Sequence, residues 1–504
     1  MKILFVNPQC PDTFWSFKYA LKFISKKSAF PPLGLLTVAA MLPENWEKRL
    51  VDMNVTRLTD SDIKWADFVF VTAMAVQRDS AVSVIERCNN LGIKVVAGGP
   101  LFTSEHTDFS GVDHFILNEA EITLPYFIND LESGNLQHVY TSTEKPALSQ
   151  TPIPLWELIN IKHYSSMSIQ YSRGCPFDCE FCDIVFLNGR IPRTKSSTQL
   201  IAELESLYMI GWRGSVFIVD DNFIGNKQKL KADILPSLIE WMRQKKYPFN
   251  FYTEASINLA DDDDLINLIV ESNFKMVFIG IETPNDESLA ECGKRQNQKR
   301  DMVDSVKKLQ NLGLQVQGGF IVGFDNDPHN IFDSMIHFIQ KSGIATAMVG
   351  ILNAPTGTKL YKRLAKENRI AGRFSGNNTE LSTNLIPKMN IDVLLDGYKK
   401  IISTIYSPQF YYERIKTLLR NYTPSKFSVP SLNMADLKAF FRSIWTLGIR
   451  GKGRRYYWKL LGWTILHRPR NFPTAVTLMI YGFHFRKITE SYISIMQADE
   501  LQTA

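Results

Sequence analysis

Three of the chain's six cysteines fall within eight residues, as Cys175, Cys179 and Cys182 in Tyr-Ser-Arg-Gly-Cys-Pro-Phe-Asp-Cys-Glu-Phe-Cys-Asp. This Cys-x3-Cys-x2-Cys spacing lets three thiolates converge on one metal centre. Thiolates select zinc or iron–sulfur clusters. A structural zinc site takes four protein ligands, yet no second Cys-x2-Cys lies nearby and His163 stands alone. Three cysteines on a four-iron cluster leave one iron open to a substrate or cofactor. The competing reading is a zinc knuckle, or reduced thiols packed in a core. Cys88, in a helical stretch, reads as a small buried hydrophobe, and Cys292, far from the trio in sequence, reads as an incidental thiol.

The elements around the trio repeat. Strand-like runs at Ser168–Tyr171, Ser215–Val219, Phe249–Thr253, Lys275–Ile281, Leu314–Val322 and Ala345–Leu352 are each followed by a helical pattern. Such βα repeats predict a partial (β/α)6 barrel with its site at the C-terminal ends of the strands. Polar groups fall there in turn: the cysteines, Asp220-Asp221-Asn222, Glu254, Glu282-Thr283, Gly323-Phe324-Asp325 and Asn353-Ala354-Pro355. Taken singly, each also reads as a helix N-cap or as close strand packing at glycine. His329 and His337 fall in the fifth helical pattern, with surface or core roles expected.

Ahead of this lies a second alternation. Short β runs at Ile3–Val6, Arg49–Asp52, Phe68–Thr72, Lys94–Ala97 and His114–Leu117 are interleaved with helical stretches at Leu33–Leu42 and Ser80–Asn89. An open parallel, Rossmann-like sheet follows, binding its ligand at the carboxyl ends of the strands. The turns there are Asn7-Pro8, Thr72-Ala73-Met74 and Gly98-Gly99-Pro100. The fold class is therefore α/β, with residues 1–145, 163–385 and 386–504 as successive units, the last helical.

That last unit is basic and aromatic. Between Lys438 and Lys487 stand eleven Lys or Arg and no Asp or Glu, against +6 for the whole chain, so the remainder is acidic on balance. Trp445, Tyr456, Trp458 and Trp463 lie among these bases, a mixture suited to a membrane–water interface. Apolar runs such as Leu460–Leu466 are not what a nucleic-acid groove needs, so no nucleic-acid partner is expected. The alternative is a helical cap with a solvated basic face. Pro and Ser clusters at Thr423–Ser425 and Ser428–Ser431 read as linkers. The 45% apolar and 21% charged content describes a folded protein. Six cysteines make no disulfide framework, no signal-peptide pattern opens the chain, and no run is long enough to span a bilayer. The expected location is the cytoplasm, with contact at the inner membrane face.

The cysteine spacing, with Phe181 before the last cysteine, closely resembles the cluster motif of radical S-adenosylmethionine (SAM) enzymes. The order of units resembles the cobalamin-dependent members, most closely the branch that includes hopanoid methylases. The resemblance implies a 4Fe-4S cluster on Cys175, Cys179 and Cys182, SAM and cobalamin. Asp220 or Asp221 resembles the position holding the methionine amino group, where the family more usually has Gly-Gly-Glu. Gly280-Ile281-Glu282-Thr283 resembles the turn near the SAM ribose, and Gly319-Phe320-Ile321-Val322-Gly323 the strand supporting adenine. Phe181 and Glu254 join the groups expected to face SAM, and Thr72, Gly98 and Gly99 those facing cobalamin. Asn118-Glu119-Ala120-Glu121 resembles the family's Gly-Glu-x-Glu.

The family's Asp-x-His-x-x-Gly loop is missing: Gln9 to Trp15 holds no histidine, so cobalt is expected to lack a histidine ligand. Cys10 is a tempting substitute, although the buried hydrophobe is again the commoner role. The activity implied is methylation of an unactivated carbon in a small apolar substrate such as a lipid, terpenoid or tetrapyrrole. A flavodoxin- or ferredoxin-type donor would supply electrons. The alternatives are a non-methylating radical enzyme closing a ring or joining carbons, and a ligand-sensing protein with a structural cluster.

Overall fold

The computed structural model describes residues 1–424 and 434–503, with side chains to Ser494. The Ser428–Ser431 cluster and Ser425 lie outside the described residues.

Two parallel sheets dominate. The first has the order β2 (Glu47–Asp52), β1 (Lys2–Asn7), β3 (Phe68–Thr72), β4 (Lys94–Gly98), β5 (His114–Ile116), β6 (Val139–Tyr140), all parallel. The runs at 3–6, 68–71 and 95–97 are buried, which explains their continuous apolar character, since helices cover both faces of a parallel sheet. Strand order reverses at β1, so the crevice beyond β1 and β3 is the place for a ligand. The short β6 carries no sequence signal beyond Val-Tyr.

The second sheet runs β7 (Ser166–Ile169), β10 (Gly214–Ile218), β11 (Phe249–Ala255), β12 (Phe274–Glu282), β13 (Gln315–Val322), β14 (Ala347–Ile351), again parallel throughout. These are the six expected strands, within two residues at most ends. Between β7 and β10 a small antiparallel pair, β8 (Ser172–Arg173) with β9 (Arg193–Thr194), brackets the cysteine loop. His337 is exposed on the helix Ile331–Ser342, whereas His329 lies in the turn before it.

Other parts of the chain pack on the sheet. Trp15, just after β1, donates its indole N–H to Met348 Sδ at 3.0 Å and meets Phe278 edge-on at 5.5 Å. Phe30 lies 5.4 Å from Phe217, which stacks on Tyr252 at 4.9 Å. The C-terminal helices pack beside β14: the Tyr398 hydroxyl donates to Val349 O, and Tyr406 exchanges hydrogen bonds with the Ala347 backbone. The long helix Phe472–Thr503 stacks Phe485 on Phe14 at 4.1 Å, and His484 Nε2 meets Phe14 O at 2.9 Å. Burial pushes His484 down to about 4, which keeps it neutral. One apolar core thus joins the second sheet, its helices, the segment after β1 and the C-terminal helices.

Gly397 shows how tightly the C-terminal helices are seated. A Cβ there would lie 2.3 Å from the Phe332 ring. Gly397→Val is expected to destabilise the protein by about 1–3 kcal/mol through overpacking, read as a lowered thermal unfolding midpoint with unchanged helix content.

Candidate functional site

The loop bearing Cys175, Cys179 and Cys182 is fastened from several sides. Asp220, buried after β10, accepts Tyr171 N at 2.8 Å and Ser172 Oγ at 2.6 Å. Asp221 accepts Gly174 N at 2.7 Å and Asn188 Nδ2 at 2.9 Å. Gly174 has φ 97°, and a Cβ would lie 2.7 Å from Ile191 O, so only glycine lets the chain turn into the loop here. On the far side Glu180 N donates to Cys292 O at 2.9 Å, while the Glu180 carboxylate takes Arg363 Nε at 2.7 Å. Cys292, buried under the loop, supports it through its backbone carbonyl.

No group of three or more His, Cys, Asp or Glu side chains among the described residues is gathered tightly enough for a single metal ion. Burial raises all three thiols, and the Lys294 ammonium opposes the rise at each. Asn222 Nδ2 lies 3.8 Å from Cys175 Sγ and Gln296 Nε2 3.9 Å from Cys179 Sγ. Three thiol donors flanked by N–H donors and an ammonium fit an anionic iron–sulfur cluster. Lys294 itself forms a buried ion pair with Glu282. Burial alone would lower this lysine, but Glu282 and Cys179 hold it above its ordinary value.

Glu282 sits at the end of β12 with φ 66°, where the β12–β13 register shifts. A left-handed glutamate costs about 1–2 kcal/mol, and such strain concentrates at working sites. Its carboxylate lines a cavity of about 1960 Å³ between the C-terminal ends of the two sheets. Phe181, Cys182, Asp221, Glu254, Gly319 and Ile321 face this cavity from one side, and Thr72, Gly98, Gly99 and Cys10 from the other. Asp220 does not face it, because both its oxygens are committed to the cysteine loop; the free acceptor is on Asp221. Gly323 is not in the lining either, and its N–H donates to Asp327 at 2.8 Å.

Glu254 is unusual. It faces the cavity with no hydrogen-bond or ion-pair partner among the described residues, and burial, then Asp221 and Asp220, push it up to about 7. An unpaired carboxyl that faces the cavity is free to receive a cation or a hydroxyl.

On the first sheet, Gly99 has φ 94° and a Cβ would lie 2.3 Å from Thr72 Oγ1. The two residues form a close-packed cradle at the crevice, which fits a bulky planar ligand. No histidine stands in the loop after β1. Cys10 is pushed up to about 11 by burial and by Asp52, and a protonated thiol is a poor metal ligand.

Glu119 and Glu121 prove to be connectors. Glu119 takes Arg173 at 2.8 Å and Arg193 at 2.7 Å, and Glu121 takes Arg173 at 2.8 Å. They join the first sheet to the strands that bracket the cysteines. Sequence reasoning missed Arg193 and Lys294; Arg173, two residues before Cys175, was the one visible hint.

The chain matches three family patterns: a B12 binding domain over residues 23–128, the radical SAM superfamily over 169–339, and a domain of unknown function (DUF4070) over 358–498. It is 40% identical to an uncharacterised methyltransferase of Synechocystis, covering 100% of this chain and 96% of that one. It is 32% identical to the hopanoid C-2 methylase of Rhodopseudomonas palustris, covering 91% and 88%. The cobalamin- and [4Fe-4S]-bound radical SAM methyltransferase TsrM from Kitasatospora setae superposes with TM-score 0.60 at 14% identity, over 97% of this chain and 99% of that one. At that identity the likeness is one of fold.

The Glu254 carboxyl has a consequence for stability. Its native pKa lies above the ordinary 4.5, so between 4.5 and about 7 the folded protein binds more protons than the unfolded one, and stability falls as pH rises. Glu254→Gln is expected to flatten that decline in the cluster-free protein, measured as thermal midpoint against pH. An unchanged slope would contradict the placement of this group.

Proposed function

The chain belongs to the cobalamin-dependent radical SAM methyltransferases, and from that premise we propose that it methylates an unactivated carbon of a lipid-like or polycyclic apolar molecule bound in the cavity between its two sheets. The observation that carries this reading is the cavity itself. It runs from the cysteine loop and the Thr72–Gly99 crevice past Phe217, Tyr252, Phe278 and Met348, a lining that suits a large apolar substrate. The hopanoid named for the Rhodopseudomonas relative belongs to that chemical class.

When bound, the cluster with SAM supplies hydrogen abstraction, and cobalamin supplies the methyl group. Residues 1–145 would hold cobalamin and 163–385 the cluster and SAM, while helices between 434 and 481 complete the cavity wall. Cys175, Cys179 and Cys182 ligate iron. Asp221 and Glu254 present acceptors to the SAM ammonium, Glu282 orients the ribose, and Phe181, Gly319 and Ile321 shape the space beside adenine. Asp220 and Gly323 act at one remove, holding the cysteine loop and the β13 turn. Thr72, Gly98 and Gly99 would bear on cobalamin at the crevice. Aromatic residues around the substrate space exclude water from reactive species. Electrons come from a flavodoxin- or ferredoxin-type partner. The basic aromatic region meets the inner membrane face; no described helix is long and apolar enough to cross a membrane.

Anaerobically reconstituted protein, given cobalamin, a reductant and an acceptor lipid extract, is expected to release S-adenosylhomocysteine alongside 5′-deoxyadenosine. 5′-Deoxyadenosine alone would instead indicate the non-methylating chemistry. Cys179→Ala should lose most of its iron and all SAM cleavage. Glu282→Ala should keep its iron and lose about tenfold or more in SAM use, the scale of one buried charged contact. Full activity in either variant would overturn the assignment.

A further inference from the structure

The helix spanning 434–449 carries an apolar stripe that nothing among the described residues covers. Met434, Leu437, Phe441, Trp445 and Ile449 recur at steps of three or four residues, the spacing of one helical face. They are 67%, 45%, 60%, 52% and 49% exposed. The opposite face is buried at Ala439, Ser443 and Leu447. From Ile444 the winding widens to π. Trp458, 48% exposed, extends the patch, tied by its indole N–H to Gly448 O at 2.9 Å. Folded chains seldom leave so much contiguous apolar surface to water unless it meets a partner.

Charge identifies that partner. Lys438, Arg450, Lys452 and Lys459 are exposed around the stripe, and no carboxylate pairs with any of them among the described residues, whereas Arg442 donates to Lys22 O, Phe23 O and Ser25 Oγ. The Arg450 guanidinium lies over the Trp445 ring at 4.6 Å, an aromatic–base pairing suited to the headgroup level of a bilayer. A phosphate-tracking groove would need the bases without the stripe.

The stripe also reaches the cavity. Leu437 belongs both to the stripe and to the cavity lining, and Phe440 follows it. Facing them on the last helix, Pro473 and Thr477 are exposed and line the same cavity. We propose that the 434–449 helix docks the protein on an anionic lipid bilayer, and that the gap between Leu437 and Pro473/Thr477 is the door through which the apolar substrate passes from bilayer to cavity. The door rests on the apolar-substrate reading above; the docking does not.

The test uses the full reconstituted chain with vesicles of phosphatidylcholine, with and without phosphatidylglycerol. The wild type is expected to float with the anionic vesicles, and hydrogen exchange should slow across 434–449 and the first turns of the 472–503 helix. Phe441→Asp with Trp445→Asp should cut the bound fraction by about tenfold or more, while iron content and SAM cleavage stay unchanged. The pair Phe441→Ala with Trp445→Ala serves if the acidic pair misfolds. Flotation is read without turnover, so docking can stand while methyl transfer fails, or the reverse. No flotation of the wild type, equal flotation of the variants, or protection confined to other surfaces would overturn the proposal. So would a wild-type dimer that the variants split without change in flotation, or retention on duplex DNA in place of vesicles.

Discussion

Two aspartates at the end of β10 fix the position of the cysteine loop, and the site takes its form from that hold. Asp220 spends both oxygens on Tyr171 N and Ser172 Oγ, and Asp221 reaches Gly174 N one step before the first cysteine. Charge-assisted bonds of this kind, out of water, are stronger than neutral ones. A segment with only one turn, at Glu180–Phe181, and no helix or strand between Cys175 and Cys182 could not otherwise hold three thiols at a defined spacing. Glu119 and Glu121 extend the hold to the first sheet through Arg173 and Arg193, so the cobalamin side and the cluster side form one electrostatic unit.

Two parallel sheets oriented this way direct their carboxyl ends at each other, and the cavity is what lies between. Elements far apart in sequence complete its walls: Trp15 from the loop after β1, Met348 from β14, and Phe440 and Tyr481 from the C-terminal helices. The β1 loop, which carries no histidine, is given over to this packing. Its residues Phe14 and Trp15 are engaged in packing against the barrel and the last helix.

Much of this was legible in the sequence, because parallel strands buried on both faces announce themselves as short apolar runs between helices. The fold class followed, and the cysteine spacing marked the loop between β8 and β9 as the candidate. What was hidden depends on the third dimension. Asp220 and Asp221 are adjacent in sequence yet do different work, one bound within the loop and the other open to the cavity. Lys294 lies twelve positions beyond Glu282, and nothing local marks it as that carboxylate's partner or as the cation among the thiols. The exposure of the 434–449 stripe was equally invisible, since an amphipathic pattern does not say which face is left uncovered.

The central claim is that three thiols hold an iron–sulfur cluster whose open corner faces the SAM side of the cavity. Electron paramagnetic resonance of the reduced, anaerobically reconstituted protein tests it most directly, recorded before and after SAM is added. The account predicts the signal of a reduced four-iron cluster whose g-values shift on addition. A spectrum indifferent to SAM, or protein that takes up no iron, would contradict it.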